Sequence, residues 1–131
     1  MKPTEISQSH FEFLKETLGK QGHLNIRIIS DSMEPVIKTG EELQVLPCVS
    51  DFNLLNRFDI LVFWNGKYFV CHYLWNKNQL SFNKKEKLLT TRGLKNLYED
   101  FPIQESHILG VLPNRRIPFW WKLKIYLRSL P

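Results

Sequence analysis

Between Asn25 and Leu112 the apolar residues come in short runs, each bounded by turn formers, and that spacing predicts strands. Asn25–Ile29 reads as a first strand and Glu42–Leu46 as a second, introduced by Gly40 and ended by Pro47. Ser50–Asn56 reads as a loop. Asp59–Trp64 and Tyr68–Leu74 are β-rich runs joined through Asn65-Gly66, the strongest hairpin signal in the chain, and a two-residue type I′ turn there would pair Trp64 with Lys67. A second hairpin is expected from Leu80–Phe82 and Lys87–Thr91, followed by an irregular loop over 93–100 and a last strand over Ser106–Leu112.

The period changes at both ends. Ser7 or Ser9 is positioned to cap a short helix in which Phe11, Leu14 and Leu18 recur at helical spacing, ended by Gly19 and Gly22. Pro118 at a first helical position opens a second helix, where Phe119, Trp120, Leu123, Tyr126, Leu127 and Leu130 share a face with Lys122, Lys124 and Arg128 off it. The expected fold is therefore mainly β, a compact set of short antiparallel strands with a short N-terminal helix and a C-terminal amphipathic helix. Its segments are a helical cover over 1–24, a β core over 25–112 and an aromatic, basic helix over 113–131. The stripe of that last helix is expected to pack on the β core or a partner. The alternative is an interfacial helix that touches a membrane through Phe119, Trp120, Leu123 and Leu127.

Composition narrows the function classes. The 131 residues make one domain, and 43% hydrophobic with 13% aromatic content supplies a single core. A net charge of +5 admits an acidic partner, a nucleic acid or an anionic membrane. The local run Lys84, Lys85 and Lys87 has no stacking series of aromatics beside it and reads as a solvated hairpin tip, so no specific nucleic-acid partner is expected. Cys48 and Cys71 lie in apolar surroundings and read as reduced, packed thiols. His10, His23, His72 and His107 lack metal-ligand spacing, and no metal or other cofactor is expected. With no apolar leader after Met1 and no apolar run of about 18 residues, the expected location is cytoplasmic, at most peripheral to a membrane.

The candidate chemistry centres on Ser30-Asp31-Ser32-Met33-Glu34-Pro35, a turn directly after the first strand. A hydroxyl on a turn after a buried strand is well placed for nucleophilic attack, because the strand fixes the backbone and the turn exposes the oxygen. The plain alternative is a polar turn. A serine needs a base within hydrogen-bond reach, and His72 lies mid-strand on the same face as Val70 and Leu74, with Cys71 and Tyr73 on the other.

These residues resemble a known set of boxes. Ser30 to Pro35 is similar to the Ser-x-Ser-Met-x-Pro box of the signal peptidase I and LexA-type serine peptidases. Arg57-Phe58-Asp59-Ile60-Leu61-Val62-Phe63 resembles their Arg-Gly-Asp-Ile-Val-Val-Phe strand, and Phe69-Val70-Cys71-His72-Tyr73-Leu74 the strand that carries the base. Thr91-Arg92-Gly93, Asp100-Phe101-Pro102-Ile103 and Ile108-Leu109-Gly110 are similar to the later boxes. The resemblance spans Ile26 to Val111 and implies the compact β-fold of that superfamily.

It also implies a serine endopeptidase that cleaves an extended leader or precursor peptide after small residues, with Ser32 as nucleophile and His72 as general base. The Ser32 N–H and the Ser30 hydroxyl would form the oxyanion hole. An imidazole, with an ordinary pKa of about 6.5, accepts a proton near neutrality without the desolvation a lysine would need. Three positions depart from the pattern: Phe58 stands for glycine, Tyr73 for arginine and Leu94 for aspartate. Asp100 is then either the carboxylate that orients His72 or an ordinary loop carboxylate. LexA-type self-cleavage is not expected, since the sequence has no alanine and no Cys-Gly bond. Trimming of a precursor in the cytosol is expected rather than secretory cleavage. A different class of reading is a non-catalytic β-module that binds a peptide or an anionic partner.

Overall fold

The computed structural model of the chain describes residues 5–48, 54–80, 87–95 and 98–130. Among these, α1 (Gln8–Gln21) leads into β1 (Leu24–Arg27) and β2 (Glu42–Val45). Then come β3 (Ile60–Trp64), β4 (Phe69–Leu80), β5 (Lys87–Arg92) and β6 (Ile103–Gln104). A 3₁₀ turn (Glu105–His107), β7 (Ile108–Val111) and α2 (Phe119–Arg128) complete the order. The mainly β expectation holds: β1 and β2 form a small sheet, and the larger one runs β6-β5-β4-β3-β7, with every pairing antiparallel.

The larger sheet is apolar on both faces, which is why β3 is buried along its whole length. On one side Ile60, Val62, Trp64, Cys71 and Tyr73 meet Phe11 and Leu18 of α1, Leu43 and Val45 of β2, and Ile125 of α2. On the other, Leu61, Phe63, Leu74, Leu89 and Ile108 form a second cluster. Each such side chain, fully buried, contributes roughly 1.5–3 kcal/mol. The small sheet joins the large one at its β7 edge, where Leu46 and Val111 exchange two backbone hydrogen bonds of 3.0 and 2.9 Å.

Helix α1 is capped by Ser7, whose Oγ accepts from the His10 N–H at 3.2 Å, and it ends at Gly22 with φ +82°. Gly19, expected near its end, lies inside it. The helix is held down by the Trp64 indole N–H on the Ile6 carbonyl at 2.8 Å and by Lys15 on the Ser106 carbonyl at 2.7 Å.

Several expected elements differ. The Asn65-Gly66 turn is not the two-residue type: Trp64 pairs with Phe69, and Asn65 Oδ1 accepts from the N–H groups of Lys67 and Tyr68, so a local side-chain bond widens the loop by two residues, Lys67 and Tyr68, on its far side. The change is an even number of residues and leaves His72 facing as expected, opposite Leu61. Leu80 belongs to the long strand β4, which pairs with β5. The lysine tip at Lys84 and Lys85, and most of the loop over 50–56, lie outside the described residues. Strand β6 was not anticipated, because two residues carry no period. Pro118 is the N-cap residue, not the first helical one. Against the β core the α2 stripe packs through Tyr126, which meets Phe58 and Trp75; Ile125 is buried and Trp121 partly so, while Phe119, Trp120, Leu123, Leu127 and Leu130 of the expected stripe are exposed.

Candidate active site

The serine turn is pinned from within. Met33 and Ile37 are fully buried and bracket a single turn closed by the Ile37 N–H on the Met33 carbonyl at 2.9 Å. Met33 packs in the core and anchors the turn, which leaves its neighbour Ser32 half-buried. The turn is held from outside as well. Ser32 O accepts from the N–H groups of Leu94 at 2.8 Å and Lys95 at 3.4 Å, and Asp31 pairs with Lys95 at 3.0 Å.

The larger sheet supplies the partner. Strand β5 pairs Tyr73 with Arg92 and then stops, so the β4 edge at His72 is left open to the serine turn. Ser32 Oγ lies 3.0 Å from His72 Nε2, and His72 Nδ1 lies 2.5 Å from Asp100 Oδ2. The Thr91 hydroxyl donates to the same carboxylate oxygen at 2.7 Å, and the Asp100 N–H donates to the Thr91 carbonyl at 2.8 Å. Ser30 Oγ donates to Ser32 Oγ at 3.0 Å and accepts from the Ser32 N–H at 3.2 Å. All four candidate residues, Ser30, Ser32, His72 and Asp100, therefore meet in one network.

The network has a direction. A carboxylate only accepts, so its short contact assigns the imidazole proton to Nδ1 and leaves Nε2 as the acceptor for the Ser32 hydroxyl. Ser30 then donates to Ser32, Ser32 to His72 and His72 to Asp100, each donor facing an acceptor. His72 is 7% exposed, so the imidazole is shielded from water on most sides. Cys71 is excluded from this chemistry: it faces the core, and burial pushes its thiol up to about 12.

The three departures from the family-like boxes fall elsewhere. Leu94 is buried in the core and contributes its backbone N–H to Ser32, and the carboxylate on His72 comes from Asp100. Phe58 and Tyr73 face away from His72, their tilted rings 5.6 Å apart between centroids, and the platform of Phe58 and Trp75 receives Tyr126 of α2. Phe58 has φ +78°, the backbone region that suits glycine.

Two contributors carried no assigned role in the sequence reading. Thr91 steadies Asp100. Gly93 packs so tightly that a Cβ there would lie 3.1 Å from His72 Nε2 and 3.2 Å from Ser32 Cβ. The available signal for both was their place in Thr91-Arg92-Gly93. Beside His72 opens a groove of about 760 Å³, lined among others by Phe63, Val70, Leu88, Phe101 and Pro102. Among the described residues no group of His, Cys, Asp and Glu is placed to hold a metal, and no helix is long and apolar enough to cross a membrane.

No family model, curated protein or solved structure matches the chain.

Proposed function

We propose that this protein is a serine endopeptidase of the signal-peptidase type, in which Ser32 is the nucleophile, His72 the general base and Asp100 the group that orients the base. The observation that carries the reading is the continuous contact from Ser32 Oγ to His72 Nε2 at 3.0 Å and from His72 Nδ1 to Asp100 at 2.5 Å. A nucleophile, a base and an orienting carboxylate in hydrogen-bond order is the arrangement that activates a hydroxyl at neutral pH.

In the reaction His72 Nε2 takes the hydroxyl proton as Ser32 Oγ attacks the scissile carbonyl carbon. The imidazolium so formed is stabilised by Asp100. The new oxyanion is placed to accept from the Ser32 N–H and the Ser30 hydroxyl, whose mutual contacts in the resting site are exchanged for it. His72 next returns its proton to the leaving amine, leaving an acyl-Ser32 ester. A water activated by the same imidazole hydrolyses the ester and restores the hydroxyl.

The substrate proposed is an extended leader or precursor peptide, cut after a small residue. Two features support it. Residues 69–72 of β4 lie beyond the end of β5, leaving a strand edge to which a peptide backbone can add. The groove beside His72 offers an apolar bed for its side chains. The side chains of Leu94, Phe58 and Tyr73, the three departures, pack in the core or the α2 platform, and the carboxylate on His72 is Asp100, which supports catalysis over a non-catalytic module.

The test is labelling with a fluorophosphonate. Wild type is expected to be labelled at Ser32, Asp100→Asn more slowly, and Ser32→Ala and His72→Ala not at all. Labelling that persists in Ser32→Ala would overturn the assignment.

A further inference from the structure

Helix α2 has two apolar faces. At about 100° per residue, Ile125 and Trp121 point to the core, whereas Leu123 and Leu127 fall on the far side with Phe119 and Trp120 at its borders, and Leu130 follows just past the helix end. That outer row is exposed: Phe119 78%, Trp120 59%, Leu127 60% and Leu130 67%. Isolated exposed apolar side chains are ordinary, but a contiguous row on a docked helix marks a contact surface.

What it contacts is indicated by charge. Residues 113–131 contain Arg115, Arg116, Lys122, Lys124 and Arg128 and no acidic residue. Those five cations equal the net charge of the whole chain, +5, so the preceding residues are balanced. Arg115 pairs with Glu41. Lys122, Lys124 and Arg128 lie between the inner and outer apolar faces, flanking the exposed row. A cleft of about 340 Å³ at the first turn of α2 is lined by Arg116 and Lys122, with Asp59 the acidic residue among its walls. The helix is also fixed in place. Arg57 stacks on Trp75 at 4.3 Å and Arg92 on its ring at 4.0 Å, and Arg92 donates to Ser129 at 2.9 Å. The outer row is therefore displayed by a rigid mount.

We infer that α2 is a docking helix for an anionic lipid surface, lying in the interface with Leu123, Leu127 and Leu130 in the acyl boundary, Phe119 and Trp120 at headgroup level and the flanking cations on lipid phosphates. An apolar row rimmed by cations matches a lipid bilayer of negative charge, where insertion and electrostatic attraction add. Ten residues of α2 cannot span a bilayer, so the attachment is peripheral and reversible. The inference does not depend on the chemistry at Ser32.

The experiment is flotation of the full chain with vesicles of phosphatidylcholine alone and of phosphatidylcholine with phosphatidylglycerol. Binding is expected to the anionic vesicles, weakened at least about tenfold on neutral ones or in high salt. Leu123→Glu with Leu127→Glu changes only exposed positions and is expected to abolish flotation while circular dichroism and fluorophosphonate labelling are unchanged. Equal flotation of that variant, or equal binding to neutral vesicles, overturns the inference. So does a concentration-dependent dimer in sedimentation velocity that the same variant dissociates, since the row is then covered by a second copy.

Discussion

Gly93 is the residue on which the spacing of the candidate site depends. Any side chain there must displace either the imidazole or the serine turn, because both lie closer to the added Cβ than ordinary van der Waals contact allows. Gly93→Ala is expected to slow fluorophosphonate labelling, by less than the roughly 100-fold that a misplacement of a full ångström costs, since the neighbours need give by only a fraction of that, while thermal stability changes little. An unchanged labelling rate would show that the packing does not set the reacting distance. Asp31 gives a second prediction. The hydrogen bond and charge of Lys95 hold its carboxyl below the usual range, and Asp31 in turn raises Lys95. The clasp is therefore intact above the ordinary carboxylate range and is lost as pH falls through the lowered Asp31 value; at the alkaline end it persists until pH rises through the raised Lys95 value. In Lys95→Met the Asp31 carboxyl should titrate near the ordinary value of about 3.9 in a carbon-detected NMR titration; an unaltered midpoint would contradict the pairing. Ser32 and His72 were legible because their types and order carry chemistry. Gly93 and Thr91 were less so, since their roles are a tight approach and a hydrogen bond to a loop 9 residues away, which no local pattern encodes.

At the scale of elements, alternation and turn chemistry were enough to place the main strands, and they missed where long-range contacts decide. The facing of His72 followed from strand period alone, and the two-residue error in the hairpin loop did not alter it. The orientation of α2 could not be read. Its stripe is apolar on both sides, and which side meets the core depends on the platform of Phe58, Tyr73 and Trp75, brought together from β3–β4. Phe58 makes this measurable. With φ +78° a non-glycine residue carries about 1–2 kcal/mol of backbone strain, whereas losing a buried phenylalanine ring costs about 3–5 kcal/mol. Phe58→Gly removes both and should destabilise by about 2 kcal/mol. Phe58→Ala loses the ring and keeps the strain, so in denaturant unfolding alanine should be the less stable of the two by about 1 kcal/mol. The reverse order would mean that the ring, not the backbone, sets the conformation there.

Across the whole molecule, the site exists only because the small sheet and the large one are held in register, the first carrying Ser32 and the second His72. Their junction is the Leu46–Val111 bridge, and Gly110 is what allows it. A Cβ on Gly110 would overlap the Leu46 carbonyl oxygen and crowd Val45 and Leu18, and these are backbone and fully buried groups that cannot turn aside. Gly110→Ala is therefore expected to destabilise the protein by about 3 kcal/mol, the upper part of the range for overpacking. Gly19 has nothing within 4 Å of its added Cβ and sits inside α1, so Gly19→Ala should stabilise by about 0.5–1 kcal/mol through helix propensity. The same substitution is thus expected to act with opposite sign at two glycines, decided by tertiary position alone. In Gly110→Ala the strain falls on the junction, and Ile28 and Gly40 tie β1–β2 to the serine turn through the Ile28–Glu41 and Gly40–Ile28 backbone bonds. Amide exchange in β1, β2 and the serine turn should accelerate together, ahead of β3 and β4. Uniform acceleration across both sheets would mean that they open as one unit and that the junction has no separate mechanical role.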